Sequence, residues 1–396
     1  MTPSLVFDAV AEAEPGPKWS ARWSRSLPAY RAWFSAGRGE QCPSRAACEA
    51  ALATHMPELI GVHQRLTRLA GGGDLAARFL STWCPPRYLG GCSVAALSRE
   101  GAVRLVRNYD LSPDLNEGLL LRTEWTGSPV MGMVEFLWGV SDGVNSRGLA
   151  LALAYGGRPE VAQGFGVTTI LRYVLETCGT VAEALAALGR IPSHMAYNIV
   201  LADRCGATAS VELQAGGGLT RRRLAVATNH QGDRDGGAAA TGSKARRQHL
   251  ERLVAGGISP GALGQAFLAA PLYQRDHTRG FATLFTAVYD PCASAITLRW
   301  PQGNWEQSLS AFTEGRRTIA YESSDPGTGH APEAAMRLDV VTTLQAVRPF
   351  LSAAQARLLD AWCEKARNGY PDWTSLGAAF NRSSWPASLT QGEGRP

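Results

Sequence analysis

The sequence predicts an α+β protein in which β-sheets lie between layers of helices. Three observations predict it. Between residues 92 and 300, strand-like runs and amphipathic helical stretches come in blocks: strands, two helices, strands, two helices, strands. The strand runs are joined by tight polar turns, as antiparallel neighbours are, so few parallel crossovers are implied and a doubly wound dinucleotide-binding fold is disfavoured. The chain has 396 residues and is 45% apolar, enough for one large core with extensions. The expected divisions are a helical segment over 1–91, a core domain over 92–325 and a C-terminal extension over 326–396.

The first segment is helical in pattern. "RAACEAALATHMPELIGVHQRLTRLA" places apolar residues three and four apart, the spacing of one helix face. "GGGD" breaks the run at 71–74, and "CPPRYLGG" makes an irregular approach to Cys92. "CSVAALS" and "AVRLVRNYD" read as a hairpin around the turn "REG", and "GLALALAYGG" as a buried strand. "GVTTILRYVLETC" and "TVAEALAALGRI" read as helices. The second has a capping box, Thr180 with Glu183 three residues later, which satisfies N–H groups of the first turn. "AYNIVLAD", "TASVELQ" and "TRRRLAVATN" are three expected strands. "SKARRQHLERLV" and "SPGALGQAFLAA" are helices with serine at each start, and "ATLFTAVYD" with "SAITLRW" forms a late hairpin. A further amphipathic helix is expected near 352–367, and no internal repeat is evident.

Composition excludes several classes. The formal net charge is +5, carried by arginine, with lysine only at 18, 244 and 365. The dense basic run Arg221-Arg222-Arg223 lacks interleaved aromatics, so nucleic-acid binding is not expected. No apolar run reaches the ~18 residues of a membrane span, and the first residues lack a secretion signal. The eight cysteines, at 42, 48, 84, 92, 178, 205, 292 and 363, show no metal-ligand spacing. They read as reduced thiols of a cytoplasmic protein, with no cofactor or metal implied.

The hairpin carries the chemistry. With its turn near Glu100-Gly101, paired residues sum to about 200 or 201, so Cys92 lies opposite roughly Asn108, with Arg107 and Asp110 as cross-strand neighbours. A reactive cysteine needs a base to make the thiolate. Seven histidines are present and no spacing marks any of them, although His194 or His230 could serve an unprocessed Cys/His enzyme. Another base is available if the Gly91–Cys92 bond is cut. Cys92 then becomes an N-terminus whose α-amine, with a pKa of roughly 7.7–8.0, sits on the same residue as the thiol. Gly90-Gly91 gives a small, flexible approach that Cys92 can attack from inside.

These residues resemble the autoproteolytic cysteine N-terminal-nucleophile hydrolases, in particular the acyl-CoA:6-aminopenicillanic acid (isopenicillin N) acyltransferase family, related to choloylglycine and linear-amide hydrolases. The resemblance runs from about Gly90 to Trp305. It rests on the order and spacing of "GCS", "RNYD", "GVSDGVNSRGLALAL", "YNIVLADRCGATASVEL", "ATNH", "SKARRQHLERL" and "TLFTAVYDP".

The resemblance implies an αββα four-layer sandwich, with Cys92 as nucleophile and new N-terminus. It implies that Arg107 and Asp110 fix the α-amine, and that Asn229 supplies the oxyanion-hole amide. Asn145 would contact the amine or substrate, and Arg246, or Arg247 if the helix is one residue out of register, would support the nucleophile. The implied activity is hydrolysis or transfer at an amide or acyl thioester, such as an acyl-CoA, through a Cys92 thioester. Segment 1–91 is expected to stay bound after cleavage, because its apolar helix faces need a partner. An inactive scaffold of the same fold is the remaining alternative.

Overall fold

The computed structural model describes residues 4–36, 43–88, 90–232, 242–275, 277, 282–321, 357, 359–361, 363 and 364. The chain opens with β1 (Ser4–Ala11) and continues through α1 (Pro17–Ala36), α2 (Arg45–His55), α3 (Ile60–Leu69) and α4 (Asp74–Ser81). The hairpin β2 (Gly91–Arg99) and β3 (Ala102–Leu111) leads into β4 (Leu119–Thr123), β5 (Val130–Glu135), β6 (Gly139–Asn145) and β7 (Leu149–Tyr155). Helices α5 (Val167–Thr177) and α6 (Val181–Arg190) precede β8 (Tyr197–Asp203), β9 (Thr208–Leu213), β10 (Leu219–Arg222) and β11 (Val226–Ala227). Then come α7 (Ser243–Ala255), α8 (Pro260–Ala266), β12 (Ala282–Asp290), β13 (Ala295–Trp300), β14 (Gly303–Ser308) and β15 (Gly315–Ala320).

Among the described residues the strands form two sheets. One runs β10-β9-β8-β7-β6-β5-β4-β1-β15 and the other β11-β2-β3-β12-β13-β14. Helices α5 and α6 cover the first sheet, α7 and α8 cover the second, and β2 and β3 face β7 and β8 across the middle. This is the αββα sandwich of the N-terminal-nucleophile hydrolase fold.

The two-residue period of a strand distributes each side chain to a layer. On β2, Cys92, Val94 and Ala96 enter the core between the sheets, whereas Ala95 and Leu97 join Leu250, Leu263 and Phe267 under α7 and α8. The turn at Glu100-Gly101 has φ of +54° and +75°, the tight form that matches strand twist and fixes register. Pairs sum to 201, so Cys92 faces Tyr109 and Gly91 faces Asp110. The expected partner Asn108 is one residue off and points the other way, donating to the carbonyls of Phe267 and Leu272.

Two further expectations are corrected. The N-terminal segment is not helical throughout: β1 lies inside the large sheet, parallel to β4 and antiparallel to β15. Its alternation, with Leu5, Phe7 and Ala9 buried, is the period of a strand. The run "TRRRLAVATN" is not one strand but two, β10 in the first sheet and β11 in the second. The α6 cap forms as expected, with Thr180 accepting from the Glu183 N–H. At the start of α7, Ser243 is the first helical residue and Gly242 the cap. Residues 357, 359–361, 363 and 364 are helical, within the helix expected near 352–367. The rest of 326–396 lies outside the described residues. No described helix is long and apolar enough to cross a membrane.

Candidate active site

Cys92 stands at the inner end of β2, fully buried between the sheets. Gly91 precedes it for a steric reason. A Cβ on Gly91 would stand 2.9 Å from Asp110 Cβ and 3.0 Å from the Asp110 carbonyl oxygen, so any side chain would push β2 off β3. Burial pushes the Cys92 thiol up to about 11, opposed chiefly by Arg107. In the uncut chain this sulfur is a protonated thiol, and it needs a proton acceptor to react.

Arg107 comes from β3, two residues from the position opposite Cys92 and on the same face. Its Nη2 donates to Cys92 Sγ at 3.2 Å, and its Nη1 donates to Ser141 Oγ at 2.9 Å and Asp142 Oδ1 at 2.5 Å. Nε reaches the Leu153 carbonyl at 3.2 Å, and Tyr289 donates to the other Asp142 oxygen at 2.7 Å. All of these residues are buried. A buried guanidinium paired with one carboxylate and aimed at a sulfur stabilises the thiolate in preference to the thiol.

Arg246 closes the site from the helical side. Its Nη1 donates to the Cys92 carbonyl oxygen and to Ser93 Oγ, each at 2.6 Å, and its Nη2 to Asn229 Oδ1 at 2.9 Å. It also pairs with Asp110 at 3.7 Å. Burial lowers its pKa, with Asp110 and Cys92 opposing the shift. The register of α7 is set at its first residue, where Ser243 Oγ binds Thr228 Oγ1 at 3.0 Å and His230 Nδ1 at 2.8 Å. That register brings Arg246 inward and leaves Arg247 to pair with Glu251 one turn on.

Asn229 reaches Cys92 because the chain crosses from β10 in one sheet to β11 in the other. Its Oδ1 accepts from the Cys92 backbone N–H at 3.0 Å, and its Nδ2 donates to the Gly90 carbonyl at 3.1 Å. The nitrogen that cleavage would free is therefore already held. The amide N–H₂ faces the acyl side of the bond, one residue before the Gly91 carbonyl. Asp110 accepts from Thr283 Oγ1 at 2.7 Å, and burial raises its pKa against the pull of Arg246.

The structure thus gathers Cys92, Arg107, Asp110, Asn229 and Arg246 around the Gly91–Cys92 bond. Asn145 is not brought there. Its Nδ2 donates to the carbonyls of Leu175 and Cys178, and its Oδ1 accepts from the Leu149 N–H at 2.9 Å. It therefore ties the end of α5 to the β6–β7 turn. Neither candidate histidine bonds the thiol. His194 holds the Ala162 carbonyl. His230 is enclosed by Thr228, Ser243 and Arg247, with its pKa pushed down to about 4 by burial and then by Arg247. Sequence reasoning missed Asp142 and Tyr289, which hold Arg107, and Tyr109, whose ring lies 4.2 Å from its guanidinium. "SDG", three residues before Asn145, was a signal for Asp142, since a carboxylate inside a buried strand needs a cation.

The sequence profile described as acyl-coenzyme A:6-aminopenicillanic acid acyl-transferase matches residues 97–305, more than half the chain. No curated protein matches. Among solved structures, the chain is similar to a mutant of conjugated bile acid hydrolase from Clostridium perfringens, at 14% identity over 60% of this chain and 100% of that one, with a TM-score of 0.36. It is also similar to penicillin V acylase from Agrobacterium tumefaciens, at 16% identity over 59% of this chain and 92% of that one, with a TM-score of 0.39. A third likeness is to the Caenorhabditis elegans ortholog of N-acylethanolamine-hydrolyzing acid amidase, at 16% identity over 58% and 99% of the two chains, with a TM-score of 0.38. The profile match covers more than half of the chain, and the chain belongs to the acyl-coenzyme A:6-aminopenicillanic acid acyl-transferase family.

Proposed function

We propose that the chain cuts its own Gly91–Cys92 bond and then works as an amide hydrolase or acyltransferase through a thioester on Cys92. One observation carries this reading. Every polar group of Cys92 is engaged: Arg107 on Sγ, Asn229 on the backbone N–H, Arg246 on the carbonyl oxygen. A merely structural cysteine needs no guanidinium on its sulfur, and its backbone groups are ordinarily served by strand partners rather than by two converging side chains.

In the first step Cys92 Sγ attacks the Gly91 carbonyl carbon. The C–N bond breaks, the nitrogen takes the thiol proton, and the acyl chain ending in Gly91 rests on sulfur. Water then hydrolyses that thioester and leaves a Gly91 carboxylate beside a free Cys92 amine. In turnover this amine accepts the thiol proton and the thiolate attacks the donor carbonyl, with Arg107 stabilising the sulfur. The tetrahedral oxyanion is placed toward Asn229 Nδ2; such a donor contributes roughly 3–4 kcal/mol in other enzymes. The protonated amine returns its proton to the leaving group, and water or an acceptor amine takes the acyl group from sulfur.

Segment 1–91 stays attached in this reading, since β1 is hydrogen-bonded on both edges within the large sheet. A reagent that condenses only with 1,2-aminothiols tests the reading. It labels the purified protein at Cys92; a protein that takes up no label contradicts it.

A further inference from the structure

The Arg107 guanidinium that bonds Cys92 is itself held by a relay that crosses between the sheets. Arg107 stands opposite Ala287 on β12, two residues from Tyr289, so Arg107 and Tyr289 share one face of the sheet that carries Cys92. Both reach across to β6 of the facing sheet and meet on Asp142. Tyr289 donates to Oδ2 at 2.7 Å, and Arg107 Nη1 donates to Oδ1 at 2.5 Å. Ser141 Oγ accepts from the same Nη1 at 2.9 Å and donates to Oδ1 at 2.6 Å. Both carboxylate oxygens are thus engaged, and Tyr289, Asp142, Arg107 and Cys92 are all 0% exposed.

An ion pair buried this deeply is weak evidence for stability, because desolvation of two charges offsets much of their attraction. Its geometry says more. A guanidinium is planar and keeps its proton at any ordinary pH. With Nε on the Leu153 carbonyl and Nη1 on Asp142 and Ser141, the plane is fixed and Nη2 is aimed at the sulfur. The same carboxylate draws on the charge that Nη2 brings there. Cys92 therefore faces a cation that is fixed in direction and partly neutralised. The balance matters because the intrinsic nucleophilicity of a thiolate falls as the thiol pKa falls.

We propose that Asp142 and Tyr289 are positioning residues for Cys92: Asp142 aims Arg107 at the sulfur and limits its charge there, and the Tyr289 hydroxyl limits the charge of Asp142. The proposal rests on Cys92 being the nucleophile. It gives the two residues opposite signs. Asp142→Asn keeps an oxygen for Nη1 but removes the negative charge, so the thiolate becomes the counter-ion of Arg107 and Cys92 ionises at lower pH. Tyr289→Phe takes a donor from Asp142, the carboxylate bears more charge, and Cys92 ionises at higher pH. A relay that only held the sheets together would give no such opposition. The other charged groups around Cys92 are Asp110 and Glu135, which oppose a thiolate, and Arg246, which favours one; the Tyr109 ring lies against Arg107. Both variants keep all of them.

The test is the pH dependence of iodoacetamide labelling at Cys92, located by peptide mass, in purified wild type, Asp142→Asn and Tyr289→Phe. Exposed Cys205 and Cys292 in the same digests control for the reagent, and buried Cys48 reports any loss of fold. Asp142→Asn should lower the labelling midpoint by about one pH unit, and Tyr289→Phe should raise it by about half a unit. A midpoint that does not move, or that moves the other way, in either folded variant overturns the proposal. Should Asp142→Asn expose Cys48 to the reagent, Tyr289→Phe decides alone: a midpoint at or below that of wild type overturns the proposal. A wild type that neither cuts at Gly91–Cys92 nor labels at Cys92 overturns the reading of Cys92 and the proposal with it, whereas the variants overturn the proposal alone.

Discussion

Arg246 Nη1 donates to the carbonyl oxygen of Cys92 at 2.6 Å. The helix that carries Arg246 is the outer layer, and the strand that carries Cys92 faces inward. One guanidinium thus ties the Cys92 backbone to Asn229 and Asp110, from two other elements.

Arg246→Lys should slow self-cleavage by about 10–100-fold. The lysine keeps the charge but offers a point donor in place of a planar fork, and each lost charge-assisted bond is worth roughly 1.5–3 kcal/mol. Arg247→Ala, which removes an i,i+4 pair with Glu251 and long contacts to His230 and the Gly232 carbonyl but nothing on Cys92, should change the cleavage rate by less than about twofold. Densitometry of the uncut band over time reads both. Equal rates in Arg246→Lys and wild type would remove Arg246 from the site.

Gly91→Ala should slow cleavage at least tenfold, because its methyl would stand 2.9 Å from Asp110 Cβ, closer than Cβ contacts come, and 3.0 Å from the Asp110 carbonyl oxygen. Gly90→Ala should be tolerated, since its nearest contact would be an ordinary 3.5 Å to the Tyr109 ring. The reverse order of sensitivity would mean that the approach to Cys92 is built differently.

Asn145→Ala should lower stability by about 2–3 kcal/mol, since three buried backbone groups lose their partner. Processing at Cys92 should proceed at the wild-type rate in the folded fraction. Thermal melts with a cleavage time course separate the two effects; a stable variant that fails to cut would return Asn145 to the site.

Glu135 sets a pH dependence of stability in the uncut Cys92→Ala protein. Burial holds its carboxyl up at about 7, above the ~4.3 of an unfolded glutamate. The folded chain keeps the proton where the unfolded chain has lost it, so this group's contribution to stability falls as pH rises from about 4.3 to about 7. Adding Glu135→Gln removes that loss. The added substitution should raise Tm at pH 8 and make little difference at pH 4.5; a gap that does not change with pH contradicts the assignment.

What was legible in the sequence was what local pattern controls. A two-residue turn fixes the register of β2 and β3, so the nearness of Cys92, Arg107 and Asp110 could be read from spacing. Only the exact partner slipped, from Asn108 to Tyr109. Arg246 and Asn229 came from resemblance, because no local pattern reveals a crossing between sheets or which of two adjacent arginines turns inward. Asn145 misled because a buried asparagine that satisfies three backbone groups looks, in sequence, like one that binds a substrate. Asp142 sits in the sheet that faces Cys92 rather than the one that carries it, and its partner Arg107 lies tens of residues away. The strand β1 was hidden by the helices that follow it.

The most direct measurement is the intact mass, under denaturing conditions, of the purified wild type beside Cys92→Ala. The account predicts two pieces in wild type, residues 1–91 and 92–396, and one uncut chain in the variant. A single uncut chain in both would mean that the Cys92 amine is never made, and would contradict the central claim.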